Sequence, residues 1–224
     1  SFEDQLRRKP DSGEDIFKCV LVFCKPQQRT FCEPERKEFI DISIRNVQGL
    51  QRLVEELLDL AKLEARQISP ARSTFSAAEL VQDVVLKIKP ESDQKNIDVE
   101  YNPDPHLPAY TGDIGMIERV LTNILENAVE HTPESGRIGI SLVTDGSNLI
   151  ITVTDSGEGI SAQDLPHIFE RFYRADKSRT RKSRGTGLGL AIAKEVVELH
   201  RGSINAESPS GTGAVFTIRL PLIV

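Results

Sequence analysis

The stretch RIGISLVTDGSNLIITVT, residues 137–154, decides the fold class. Arg137 to Thr144 and Asn148 to Thr154 are rich in Ile, Leu, Val and Thr, the side chains that suit a pleated, half-buried strand. Asp145-Gly146 between them is a good hairpin-turn signal. An antiparallel pair is therefore expected here. Outward from it the period changes. Asp113 to Val129 places Ile117, Val120, Leu121, Ile124, Leu125 and Ala128 on one side of a helix. Ile97-Asp98-Val99-Glu100-Tyr101 alternates like a strand, and Ser76 or Thr74 can cap a helix reaching about Lys89. Downstream, Leu188 to His200 reads as a helix stopped by Gly202. Ser203–Glu207 and Ala214–Leu220 read as a last strand pair around Pro209-Ser210-Gly211. Strands and helices mixed in this order predict an α+β fold, a two-layer sandwich whose mixed sheet is covered by helices on one face.

Upstream the chain changes character. From Glu35, Ile40, Ile44, Val47, Leu50, Val54, Leu57, Leu58 and Ala61 recur at three- and four-residue steps. Arg45, Arg52, Glu55, Glu56 and Lys62 fill the other side. A long amphipathic helix over 35–68 follows, ending before Ser69-Pro70 and suited to a helical bundle or coiled coil. A core helix packed on its own domain gives the same stripe; the length favours the intermolecular bundle. Residues 1–34 hold all three cysteines and no helical period, with Asp15 to Phe23 as one short strand between Pro10 and Pro26.

Composition removes several function classes. The chain has 224 residues, 38% hydrophobic and 28% charged, so it can bury a core and is not wholly disordered. Net charge −6 argues against a nucleic-acid binder, and so does an aromatic content of 5% with no Trp. No apolar run approaches the ~20 residues of a spanning helix. Ser-Phe-Glu-Asp at the start is no signal peptide, and three cysteines suit a reducing, cytoplasmic location. Cys19, Cys24 and Cys32 lack zinc-ligand spacing.

The chemistry-bearing residues fall in separate places. In Asn123-Ile124-Leu125-Glu126-Asn127-Ala128 the amides of Asn123 and Asn127 are four apart and share a helix face. An amide oxygen suits Mg²⁺, which takes few protein ligands beside phosphates and water. Two helical asparagines serve equally well as solvent-facing groups. Asp155-Ser156-Gly157-Glu158-Gly159-Ile160 follows a strand directly. Its carboxylate can accept from an exocyclic amine, and its glycines allow close backbone approach; a plain turn would use the same residue types. Gly185-Thr186-Gly187-Leu188-Gly189-Leu190 opens a helix, the arrangement that cradles phosphates. It follows a basic loop rather than a strand, and Leu190 breaks the dinucleotide fingerprint. Residues 156–186 are polar and too long for a routine connection, as functional lids are.

In this order and spacing, these features resemble the ATP-binding domain of sensor histidine kinases, in the gyrase, chaperone and histidine kinase ATPase superfamily. Asn123–Ala128 resembles the N box, Asp155–Ile160 the G1 box, Phe169-Glu170-Arg171-Phe172-Tyr173-Arg174 the F box and Gly185–Leu190 the G2 box. Gly211-Thr212-Gly213 resembles the last glycine motif. The resemblance covers about 72–224, and the helix of 35–68 resembles the second helix of the dimerisation and phosphotransfer hairpin. It implies ATP and Mg²⁺ as cofactors. Asn127 would ligate the metal with Asn123 alongside, and His131 would stand near the nucleotide. Asp155 would take the adenine amine, with Gly157, Gly159 and Ile160 around the ring. Gly185, Thr186, Gly187, Leu188, Gly189 and Leu190 would meet the phosphates, with Tyr173 and Arg174 approaching from the lid. Arg174 would neutralise charge on the moving phosphoryl group, and the basic run 177–184 would either clamp the triphosphate or stay solvated. Hydrolytic members carry a glutamate where Asn123 stands, and an amide cannot activate water as a base. Phosphoryl transfer to a protein histidine is therefore implied, then to the receiver domain of a response regulator.

The resemblance also implies a homodimer through helix 35–68, with any membrane attachment in segments outside this sequence. The expected acceptor histidine, followed by an acidic residue and Leu-Arg-Thr-Pro, is not found. Of the four histidines, His106 lies in a Pro-flanked loop, His131 follows the N box, and His167 is in the lid. His200 ends a helix, where a cation suits the dipole. The nearest stretch, Asp4-Gln5-Leu6-Arg7-Arg8-Lys9-Pro10, has Asp4 in the histidine's place. Residues 1–34 are accordingly expected to be an irregular segment, a replaced or frame-shifted first hairpin helix. The rival readings are a catalytically silent ATP-binding interaction module and a serine-directed kinase of the same superfamily, against which the long helix counts.

Overall fold

The computed structural model describes residues 33–174, 186–209 and 213–222. Two compact units divide the chain, Ser1–Gln51 and Arg52–Val224. The strand expected at Asp15 to Phe23 lies outside the described residues. What is described of the first unit is helical and belongs to α1 (Glu33–Glu64). Ile40, Ile44, Val47 and Leu50 are exposed there.

The second unit begins with the last turns of α1, where Leu60 and Leu63 are buried in the core. The helix stops at Glu64, short of residue 68. Arg66 takes φ +50, its N–H bonds to Leu63, and Gln67 N–H bonds back to Lys62, a left-handed cap made without glycine. β1 (Ser73–Phe75) pairs antiparallel with β3 (Tyr110–Gly112) as a separate two-stranded sheet. These strands were not expected: with three residues each they carry no readable period. Between them lie α2 (Ala77–Gln94) and β2 (Asp98–Pro103). Ser76 is the cap of α2, accepting from Glu79 N–H at 3.3 Å, while the Thr74 hydroxyl meets that of Thr111. The helix runs past the expected Lys89 and through Pro90. Pro90 and Leu86 are both exposed, so water can serve the carbonyl that the proline leaves unbonded.

The main sheet adds β4 (Arg137–Thr144), β5 (Asn148–Asp155), β6 (Ser203–Glu207) and β7 (Val215–Pro221), in the order β2-β4-β5-β7-β6. The β4–β5 hairpin turns at Asp145-Gly146, with Gly146 at φ +88. All pairs are antiparallel except β2 with β4. α3 (Ile114–His131) and α4 (Gly189–Leu199) complete the helical layer. Ile140 pairs with Val153 and Val153 with Phe216, so one sheet face is continuous apolar surface. Val84, Ile124, Leu125 and Ile192 cover it, each almost wholly buried. This is the two-layer α+β sandwich expected from the sequence.

His200 is structural, as the sequence suggests, but not through a charge at the helix end. Its ring is buried, Nε2 accepts from Asp113 N–H at 3.1 Å, and Nδ1 lies 2.8 Å from Val196 O. A backbone N–H can only donate, so Nε2 carries no proton and Nδ1–H is the donor. The side chain is an uncharged strut from α4 to the cap of α3, not a cation on a helix end.

If the end of α1 is part of the second unit's core, Leu60→Ala will destabilise that unit by about 2–4 kcal/mol, while exposed Leu58→Ala will stay within about 0.5 kcal/mol. Urea unfolding of the two variants measures the difference.

Candidate functional site

β5 delivers Asp155 to the edge of the helical layer. The residue is 4% exposed. Oδ1 accepts from Gly157 N–H at 2.8 Å and Ala214 N–H at 3.2 Å. The Asp155 N–H meanwhile donates to Ala214 O at 2.9 Å. Among the described residues no donor reaches Oδ2, which leaves it as the acceptor for a ligand N–H.

The surrounding glycines answer to the protein's own backbone. A Cβ on Gly213, at φ +80, would lie 1.9 Å from Asp155 O, so no side chain fits. On Gly157 it would lie 2.6 Å from His131 O. Gly159, at φ +75, would push one to 2.6 Å from Ser208 Oγ. Ser208 is a site residue that no sequence motif marks. It accepts from Ile160 N–H at 2.7 Å and donates to Gly213 O at 2.8 Å, tying the turn after β5 to the end of β6. Ile160 itself is half-buried against the core.

α3 and α4 supply the other wall. Asn123 Nδ2 donates to Gly189 O at 3.0 Å, and a Cβ on Gly189 would stand 3.4 Å from the same amide. Asn123 thus holds the start of α4. Asn127, one turn on, is half-buried, and among the described residues its amide has no hydrogen-bond partner. His131 ends the helix exposed. α4 begins without a side-chain cap. Leu188 N–H donates to Thr186 Oγ1 at 3.2 Å, and the first-turn N–H groups of a helix, which lack intrahelical partners, suit an anion. Leu188 is fully buried and Leu190 half-buried. Gly187, at φ +75, accepts from Phe172 N–H at 2.9 Å through its carbonyl. Gly185, the basic run 177–184 and Gly211-Thr212 lie outside the described residues.

The near part of the lid is internally bonded. Tyr173 Oη donates to Asp164 at 2.7 Å, and its ring lies 5.5 Å from that of His167. Arg174 is exposed beside it. The end of α1 reaches the same region, with Thr186 donating to the Glu56 carboxylate and Arg171 paired with Glu64. A cavity of about 240 Å³ there is lined by Leu60, Glu64, Arg171 and Lys194 among others. Neither Asp155 nor Asn127 lines it, so it is not the site they frame.

Among the described residues no group of three His, Cys, Asp or Glu side chains could hold a metal ion. The available donor is the unpaired Asn127 amide. That fits Mg²⁺ held mainly by phosphates and water.

Comparison with known proteins places the chain in context. Residues 112–224 match the HATPase_c family, described as histidine kinase-, DNA gyrase B-, and HSP90-like ATPase. Sensor protein SrrB of Staphylococcus aureus (strain MRSA252) is 35% identical over 190 residues, 84% of this chain and 32% of SrrB. The chain therefore spans about a third of the length of that relative. The crystal structure of full-length ShkA in complex with AMPPNP aligns with a TM-score of 0.75 at 26% identity, over 87% of this chain and 40% of ShkA. The histidine kinase ThkA, in complex with response regulator protein TrrA, aligns with a TM-score of 0.73 over 99% of this chain and 61% of ThkA; at 22% identity it shows likeness of fold alone.

Glu126 supplies a pH handle. Burial, and after it the Glu91 carboxylate with smaller effects of Glu56 and Glu130, raises its carboxyl above the usual value against the pull of Arg52. The folded chain holds this proton more tightly than the unfolded one. The stability it contributes is complete below the ordinary carboxylate value and is lost as pH rises through the raised one. Glu126→Gln should therefore exceed the native chain in stability at about pH 8 and match it near pH 4, read from urea midpoints at both.

Proposed function

The chain belongs to the histidine kinase-, DNA gyrase B- and HSP90-like ATPase family, and from that premise we propose that it is the Mg·ATP-binding catalytic region of a two-component sensor histidine kinase. The reading assigns it transfer of the γ-phosphoryl group of ATP to a histidine, and from there to the receiver domain of a response regulator. The observation that carries it is the Asp155 seat, a buried carboxylate with Oδ1 pinned by two backbone N–H groups and Oδ2 open. That open oxygen accepts from the adenine exocyclic amine, while the turn at Gly157, Gly159 and Ile160 borders the ring.

At the other end, the first-turn N–H groups of α4 meet the phosphates, with Thr186, Gly187, Leu188, Gly189 and Leu190 forming the approach. Asn123 holds α4 in place, and Asn127 offers its amide oxygen to the metal, with His131 at the same helix end. Mg²⁺ held at Asn127 would supply positive charge beside the phosphates. Tyr173 and Arg174 close on the nucleotide from the lid, and the Arg174 guanidinium stabilises the charge of the transferring group. In the transfer, the bond from the γ-phosphorus to the β–γ bridging oxygen breaks, a bond to an imidazole nitrogen forms, and ADP leaves. Asn123 has no base function, which disfavours attack by water.

One observation favours a second reading. The first histidine of the sequence is His106, so nothing in residues 1–68 can be the hairpin's acceptor. An ATP-binding module that transfers nothing would need none. The organisation behind the first reading is a second hairpin helix over 35–68 and the catalytic domain over 72–224. The exposed stripe of Ile40, Ile44, Val47, Leu50, Val54, Leu57 and Leu58 supports a homodimer through α1. Sedimentation at high micromolar concentration should show a dimer, and a monomer would count against it. Any membrane anchor would lie in other segments, since among the described residues no helix is long and apolar enough to cross a membrane. The described part is placed on the cytoplasmic side.

Label transfer from γ-labelled Mg·ATP tests the function, using this chain alone and with an added hairpin bearing the histidine motif. Acid-labile label on the added hairpin is the expected result. Binding without transfer would favour the silent module, and absence of binding would sink the reading of the site. Asp155→Asn keeps the Oδ1 acceptor but turns the open oxygen into a donor. It should weaken ATP binding roughly 100-fold with little loss of stability.

A further inference from the structure

A cation that belongs to none of the sequence motifs closes the end of α3. Lys95 is the C-cap residue of α2, and its backbone N–H bonds to the carbonyls of Ser92 and Asp93. Its half-buried side chain crosses to α3, where Nζ donates to Val129 O at 2.6 Å, Glu130 O at 2.9 Å and Thr132 O at 3.2 Å. The last carbonyls of a helix lack partners within the helix. An ammonium brings three donors and a positive charge, and both suit that end. The Lys95 carbonyl also accepts from Ser135 N–H at 3.0 Å. One residue therefore grips both sides of the turn that leaves α3.

That turn borders the nucleotide-site residues on two sides. Asn127 stands two residues before Val129 on the same helical turn. The His131 carbonyl is the atom against which Gly157 packs, with room for no Cβ. Gly136 meets Ser156, whose Oγ would lie 2.9 Å from a Cβ there. Arg137 N–H donates to Ser156 Oγ at 2.8 Å, and Ser156 N–H returns a bond to Arg137 O at 3.0 Å. The run 129–137 is thus the wall on which the Asp155–Gly157 turn is seated, and Lys95 fixes the wall.

We infer that Lys95 is a positioning residue for nucleotide binding: its ammonium sets the end of α3 so that Asn127 and the Asp155–Gly157 turn keep one fixed spacing. The inference rests on the reading of Asn127 and Asp155 as nucleotide contacts. Lys95 itself touches no ligand and acts through the carbonyls it holds.

Calorimetric titration of the full chain with Mg·ATP tests it, comparing the native protein with Lys95→Met and Lys95→Arg. Methionine keeps the stem and removes the donors and the charge. It should raise Kd about 10-fold at full binding stoichiometry, while arginine, a cation with several donors, should stay within about 2-fold of native. A lysine that merely held the fold together would give a different result: the binding-competent fraction would fall and its Kd would not change. That outcome overturns the inference, as does Lys95→Met binding as tightly as native. If Lys95→Met yields no folded protein, Lys95→Gln, which keeps amide donors without charge, serves for the same Kd comparison. A native chain that binds no Mg·ATP overturns both the inference and the reading beneath it, whereas native binding with unaltered variants removes the inference alone.

Discussion

The junction of Asp155 with Ala214 is the constraint from which the site takes its shape. The backbone of Asp155 donates to Ala214 O at 2.9 Å, and its side chain takes Ala214 N–H at 3.2 Å. One residue thereby captures both polar groups of its neighbour just beyond the β5–β7 ladder. That double capture draws Gly213 onto the Asp155 carbonyl so closely that no Cβ fits between them. Ser208 then bridges Gly213 to Ile160, so the turn after β5 is locked on its far side as well. A carboxylate buried in this way would be costly without its donors. Here one oxygen is satisfied by the backbone and the other is left for chemistry.

The end of α1 obeys a different logic. Leu60 and Leu63 place it, because their burial removes apolar area from water. Its acids orient it. Asp59 meets Arg119 at 2.6 Å, Glu64 meets Arg171, and Glu56 takes the Thr186 hydroxyl. These pairs are partly exposed, so each adds little to stability. Their value is directional, since a helix turned by one residue would present none of them. The Glu56 contact also sets a carboxylate beside the residues that lead into α4.

The parts legible in the sequence were those with a local rule. The 137–155 hairpin showed itself through strand composition and an Asp-Gly turn, and α3 through its apolar stripe. Asn127 on a helix face, Asp155 at a strand end and Gly187 before a helix could be placed because each sits in a locally patterned element. What escaped has no local signature. The β1 and β3 strands are too short to show a period. The parallel pairing of β2 with β4 depends on a crossover that neither strand encodes alone. Ser208 and Lys95 look like ordinary surface residues until the fold brings them to Gly213 and Val129. The glycines were legible, but the reason for them was not. Gly157, Gly159 and Gly213 are demanded by the protein's own backbone and the Ser208 hydroxyl, and a flat ligand is only a later beneficiary.

The order of the sheet carries a consequence for how the chain matures. The contact between Asp155 and Ala214 closes a separation of 59 residues, and Ile160 reaches Ser208 across 48. The helices, by contrast, are built from contacts a few residues apart. Loop-closure entropy must be met before a distant pairing returns any energy, so local elements lead and non-local ones follow. The carboxylate seat therefore belongs to the late part of folding. A chain emerging from the ribosome has α2, α3 and the β4–β5 hairpin available well before Gly213 is synthesised. Its Asp155 is then a strand-end carboxylate with only the Gly157 N–H beside it, and the arrival of Ala214 completes the seat.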